Sequence, residues 1–301
     1  MTRRREGGTR DAHSGYHCLM HKKLLALSLC LVALTACKKK EAAPPPPVTE
    51  THATATQAPP PAPSPSVTLA NGAPIPANGV ALWLAADDAK AAADGKLSSW
   101  ANPAVAGVTA TADRPELEPS VVPNALNGHA VVRFDGDQNM LVTNVDISPA
   151  RMPEATIFAV FNSKTAENSP YRKLYGDDDG GYDRAAGLDD RGGDKNYTVF
   201  TGNGVTGYFA LKANEAYMTA DQFAKSDFSG WVNGKMVLQK VAAAWEEALP
   251  NLYLGGTGTS YHEPWQGDLA EIIVYARLLT DAERMQVEDY LGKKYGVAIT
   301  R

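Results

Sequence analysis

At 301 residues, with 44% hydrophobic and 21% charged side chains, the chain can hold one large or two small globular domains. Its three cysteines, Cys18, Cys30 and Cys37, all precede residue 38, which excludes disulfides, thiolate metal sites and cysteine catalysis from the rest. Nine of the 29 Lys/Arg and four of the 34 Asp/Glu lie in residues 1–66; the 20 basic and 30 acidic residues beyond leave no basic footprint for a nucleic acid.

The first 19 residues are polar, arginine-rich and aperiodic, so Met20 is the more natural start. Met20-His-Lys-Lys23 opens an apolar run over residues 24–36 that ends at Cys37. A short cationic region, an apolar core and small residues describe a secretory signal over residues 1–37. The run is too short to span a membrane, which takes roughly 20 residues. Leu34-Thr-Ala-Cys37 resembles the lipobox of bacterial lipoproteins, whose cysteine is acylated and becomes the new N-terminus. An ordinary cleaved signal with an incidental cysteine is the alternative. The resemblance implies palmitate at Cys37 and a membrane anchor. With Lys38 rather than aspartate next, it implies the outer membrane, on its periplasmic or surface face. Residues 38–77 form a Pro/Ala/Thr-rich linker holding nine of the 20 prolines before residue 66. It lacks the apolar surface to offset ordering entropy, so disorder with extended polyproline II character is expected.

Ordered sequence begins near residue 78. Short apolar runs follow at 79–85, 130–134, 140–143, 155–161, 171–175, 197–201, 206–212, 230–232, 236–240, 252–254 and 269–275. Such runs between turn residues predict an all-β, antiparallel sandwich over residues 78–301. Asn233-Gly234 predicts a two-residue hairpin, since both residues tolerate positive φ. Residues 221–225 suggest a helical turn. A C-terminal helix is expected from Thr280, with Glu283 at capping-box spacing. Val287, Leu291 and Tyr295 stack on one face beside Tyr290, and Gly296 suits a left-handed cap.

Several of these segments together resemble the bacterial laminin-G-like domains of the concanavalin A-like lectin/glucanase superfamily. The similarity is carried by Gly79-Val-Ala-Leu-Trp-Leu-Ala-Ala-Asp87, Arg114-Pro115, Asn127-Gly-His-Ala-Val-Val-Arg-Phe-Asp-Gly136, Ala155-Thr-Ile-Phe-Ala-Val-Phe161, Trp231-Val-Asn-Gly-Lys235 and Gly267-Asp-Leu-Ala-Glu-Ile-Ile-Val-Tyr275. It implies a jelly-roll sandwich of two antiparallel sheets with a C-terminal helix, in which residues 269–275 lie against residues 80–84. One fold of this kind hosts lectins, adhesion modules and glycoside hydrolases, so it does not choose among them.

Hydrolases of this superfamily resemble one another in a Glu-x-Asp-x-x-Glu strand, and none is present. Glu271 has no second carboxylate among its strand mates Leu269, Ile273 and Tyr275, so a structural role is expected for Glu271 and Asp268. The expectation is a non-catalytic envelope lipoprotein binding carbohydrate or an extracellular protein. Its alternatives are a polysaccharide-active hydrolase or lyase, and a purely structural envelope lipoprotein. Two loops are candidates for ligands. Asp177, Asp178, Asp179, Asp183, Asp189, Asp190 and Asp194 lie among glycines and could supply oxygen ligands to Ca²⁺. A solvated acidic loop neutralised by Arg184, Arg191 and Lys195 is the other reading. In the loop before the last strand, Tyr261 and Trp265 could face a sugar while His262 and Glu263 hydrogen-bond it. Packing of Trp265 in the core is the alternative there. His129 is expected to make a local hydrogen bond.

Overall fold

The computed structural model describes residues 74–301 other than 103–104, 247 and 259–262. The signal segment, Cys37, the linker up to residue 73, Tyr261 and His262 therefore lie outside the described residues. In chain order the first strands are β1 (Val80–Ala85), β2 (Ser99–Ala101), β3 (Thr109–Thr111), β4 (Ser120–Leu126), β5 (His129–Asp135), β6 (Leu141–Thr143), β7 (Ala155–Ser163) and β8 (Arg172–Gly176). They continue as β9 (Ala185–Leu188), β10 (Tyr197–Phe200), β11 (Val205–Phe209), β12 (Ala216–Phe223), β13 (Asp227–Val232), β14 (Lys235–Ala242), β15 (Tyr253–Leu254) and β16 (Gln266–Tyr275), and the helix α1 spans Asp281–Tyr295.

These form two antiparallel sheets. One runs β14-β13-β12-β7-β16-β5-β4 with β1 also on β16; the other runs β11-β10-β9-β8-β15-β6-β3-β2. The centre of the first sheet is β16. It pairs with β7 along one edge, and its other edge is shared between β5 near Gln266 and β1 near Tyr275. Leu82 lies opposite Val274 and Leu84 opposite Ile272, the pairing that the resemblance implied. Both β7 and β16 read as continuous apolar runs because they are buried on both faces, as strands covered by helix on one side require.

The covering element is α1. Thr280 accepts from the Glu283 amide at 3.3 Å while the Glu283 carboxylate accepts from the Thr280 amide at 3.0 Å, closing the capping box. Gly296 takes the left-handed cap with φ 69°. Val287, Leu291 and Tyr295 are buried against the sheet. The fully buried Glu271 carboxylate is held by Trp83 Nε1 at 2.6 Å, Tyr295 OH at 2.7 Å, Lys294 Nζ at 2.8 Å and Tyr290 OH at 3.0 Å. Its partner in the signature, Asp268, accepts from Arg133 at 2.6 Å and from Asn162 at 3.1 Å, and pairs with Lys164 at 2.9 Å. Burial raises the Asp268 carboxyl, but these donors hold it below its usual range. Both acids are structural.

Between the sheets, Asp221 of β12 is fully buried and accepts from Tyr175 OH at 2.6 Å on β8, Tyr208 OH at 2.8 Å on β11 and Thr219 at 3.2 Å. Burial lifts its carboxyl to about 6 against these donors. The expected helical turn at 221–225 is corrected, since Asp221–Phe223 complete β12 and pair with β7. Extended backbone satisfies these amides in the ladder, which a single helical turn would not. The Asn233-Gly234 hairpin stands as read, with φ 51° and 82° and Val232 opposite Lys235. His129 Nδ1 reaches Asp87 Oδ2 at 2.8 Å, a contact across 42 positions rather than a local one.

Candidate functional site

The site forms around the β8–β9 hairpin. A register irregularity between Lys173 and Tyr175 breaks the two-residue alternation of β8. As a result Tyr175 reaches Asp221 in the core, whereas Lys173 Nζ reaches Asp189 at 2.9 Å and lies 3.9 Å from the centre of the Phe200 ring. Asp189 is fully buried and is clamped a second time by Arg191, with Nε at 2.8 Å and Nη2 at 2.5 Å. Burial pushes this carboxyl up, yet the two cations hold it below its usual range. The Arg191 guanidinium in turn covers the Tyr171 ring at 4.2 Å.

Beside this charged base lies a cavity of ≈ 250 Å³ lined by Tyr171, Asp178, Gly180, Tyr182, Arg191, Phe200 and Glu263. Tyr182 adopts φ 61°, a left-handed conformation rare for an aromatic residue, and the residue is 36% exposed. Asp178 is buried and accepts from the Asp183 amide at 2.9 Å. Burial raises the Asp178 carboxyl, opposed by that amide and by Lys173. Glu263 accepts from Thr257 at 3.2 Å, and its backbone carbonyl accepts from Lys173 at 2.9 Å. Burial also raises Glu263; Lys173 opposes this, and the charge of Asp178 adds to it. The cavity thus holds two carboxyls that feel one another, with aromatic rings at the rim.

The structure joins the two loops that the sequence offered as separate candidates. Asp178 comes from the acidic loop and Glu263 from the loop before β16. The other candidates part from them. Trp265 is fully buried between the sheets, edge-on to Phe161 at 5.7 Å and to Tyr197 at 6.4 Å, so its face is packed rather than offered to a sugar. The seven aspartates do not gather on one centre. Asp189 is paired as above; Asp179, Asp190 and Asp194 are exposed, with Asp194 2.9 Å from Lys195. Asp177 and Asp183 are buried near Asp178, and burial raises both, Asp183 to about 6. Among the described residues no three carboxylate or imidazole groups are placed to hold a metal ion together. Tyr171, Tyr182, Arg191 and Phe200 were absent from the sequence candidates. The signal available was a tyrosine inside the glycine-rich acidic run, which the calcium reading passed over.

No protein-family model matches the chain, and no curated protein matches it. Solved structures do. A Trypanosoma rangeli sialidase is 18% identical with a TM-score of 0.50, the match covering 73% of this chain and 33% of the sialidase. The same sialidase in complex with sialic acid matches at 16% identity and a TM-score of 0.51, again over about a third of its length (34%). Domain 4 of AbnA, a GH43 extracellular arabinanase from Geobacillus stearothermophilus, in complex with arabinotriose, is 14% identical with a TM-score of 0.50, over 70% of this chain and 97% of that domain. The chain thus spans about a third of the length of the sialidases it matches. The non-catalytic reading is corrected in its ground: it was drawn from a missing strand motif, and the solved structures that share this fold are of glycoside hydrolases, so the missing motif does not exclude catalysis. The chain has a β-sandwich fold of two antiparallel sheets, shared with part of the sialidase and with the AbnA domain.

Proposed function

We propose that the domain is carbohydrate-active: it seats a saccharide in the cavity at Tyr182 and uses Glu263 and Asp178 to hydrolyse a glycosidic bond. The observation that carries this is the presence of both carboxyls in one aromatic-rimmed cavity. The arabinotriose complex of the AbnA domain supports a saccharide on this type of sandwich. In the proposed step protonated Glu263 gives its proton to the glycosidic oxygen as the bond from that oxygen to the anomeric carbon breaks. A water attacks the same carbon and passes its proton to Asp178, so one water is consumed per bond cleaved. Lys173 and Arg191 keep Asp189 ionised beneath, and its negative charge favours the protonated form of Glu263.

Release of reducing ends from arabinan, xylan and β-glucan, and of sialic acid from sialyllactose, tests the proposal. Turnover is expected on at least one, falling by about 10²–10⁴-fold in Glu263→Gln with saccharide binding kept. Binding without turnover removes hydrolysis, and a panel with neither removes the whole reading.

We further propose that the mature chain carries a laminin-G-like domain tethered to the bacterial envelope through lipid on Cys37. The support is the placement of Leu34-Thr-Ala-Cys37 at the end of the apolar run. Metabolic labelling with a palmitate analogue is expected to mark the wild-type protein and to be lost in Cys37→Ala; label surviving that change overturns it.

A further inference from the structure

Given a saccharide site at Asp178 and Glu263, we propose that its ligand is a neutral linear glycan lying across Glu263, with one sugar unit in each of two adjoining cavities. Glu263 lines both. On one side is the cavity of ≈ 250 Å³ with Tyr182 at its rim; on the other is one of ≈ 140 Å³ lined by Arg114, Gln138, Met140 and the backbone of Gly255 and Gly256. Small-molecule pockets run from about 300 to 1,000 Å³. Neither cavity alone reaches that range, and the two in series do.

Their chemistries differ in the way successive units of a chain require. The Tyr182 ring offers a flat apolar face to sugar C–H groups, while the second cavity offers an amide, a guanidinium and a thioether. At Gly256 a Cβ would sit 3.1 Å from Met140 Sδ, so the missing side chain keeps that floor open. Glu263 stands at the junction, where a bond between two units would pass.

Charge selects the class of glycan. Arg191 and Lys173 are both bound to Asp189, and Arg114 lies 3.4 Å from Glu116. Among the described residues lining the two cavities, Asp178 and Glu263 are then without a lysine or arginine ion-pair partner. A sialic or uronic acid would bring its carboxylate against that of Asp178, whereas neutral hydroxyls can donate to the Asp178 oxygens.

NMR titration with arabino-, xylo- and gluco-oligosaccharides of one to four units, and with sialyllactose, tests this. Affinity is expected to rise at least tenfold from one unit to two or three in a neutral series, with sialyllactose weaker. The double variant Arg114→Ala/Gln138→Ala changes two exposed residues. It should flatten that rise, whereas Tyr182→Ala should weaken every length. A single unit bound as tightly as three, or sialyllactose bound more tightly than the neutral probes, overturns the two-cavity proposal and leaves the saccharide site standing. Failure of every probe to bind overturns the site itself.

Discussion

Ending the chain after Leu279 is expected to abolish the cooperative unfolding transition. The cut removes Val287, Leu291 and Tyr295, whose burial stabilises the domain by roughly 1.5–3 kcal/mol each. It also removes three of the four donors to Glu271. Each lost hydrogen bond to that carboxylate costs about 1.5–3 kcal/mol more. Together these reach the roughly 5–15 kcal/mol by which whole domains are stable. Thermal circular dichroism reads the outcome, and a truncated chain melting at the wild-type midpoint would refute the account. Glu271→Leu separates the two contributions. It keeps the helix, orphans the donors, and should cost on the order of 3 kcal/mol.

Trp265→Ala should destabilise the domain by about 3–5 kcal/mol, the range for a large aromatic removed from a core. For a domain of this size that corresponds to a melting point lower by roughly 6–20 °C. Phe161 and Tyr197 would be left facing the void. Calorimetry decides the matter: an unchanged melting point together with lost saccharide binding would return Trp265 to the surface. The Trp265 backbone amide also donates to the Gly255 carbonyl at 3.0 Å, holding the loop that carries Glu263 two positions earlier. Trp265 thereby positions the site without touching a ligand.

How far these features could be read beforehand depended on the range of the interaction. The capping box, the left-handed Gly296 and the Asn233-Gly234 turn are set by neighbours within four residues, and each appears as read. The apolar strands β1, β7 and β16 were visible because burial on both faces leaves a continuous hydrophobic run. Strands β2, β3, β4 and β9 were not. Ser-Trp-Ala, Thr-Ala-Thr and Ala-Ala-Gly-Leu carry no run long enough to signal, and pairing with neighbours makes them strands.

The site was half legible. Glycine-rich loops holding acids and aromatics mark places where function concentrates, and both loops named from the sequence border the cavity. Which residues face it could not be read from spacing. Trp265 and Glu263 are two positions apart, and one is core while the other lines the cavity. Asp178 and Asp189 are eleven apart, and one borders the cavity while the other is locked under Lys173 and Arg191. By itself the sequence determined the all-β class, the terminal helix and the two loops that border the cavity, because local patterning and turn chemistry act over a few residues. Only the tertiary structure decided that Asp178 and Glu263 share one cavity and that Trp265 does not, because burial and charge pairing are settled by segments some 85 positions apart folding onto each other.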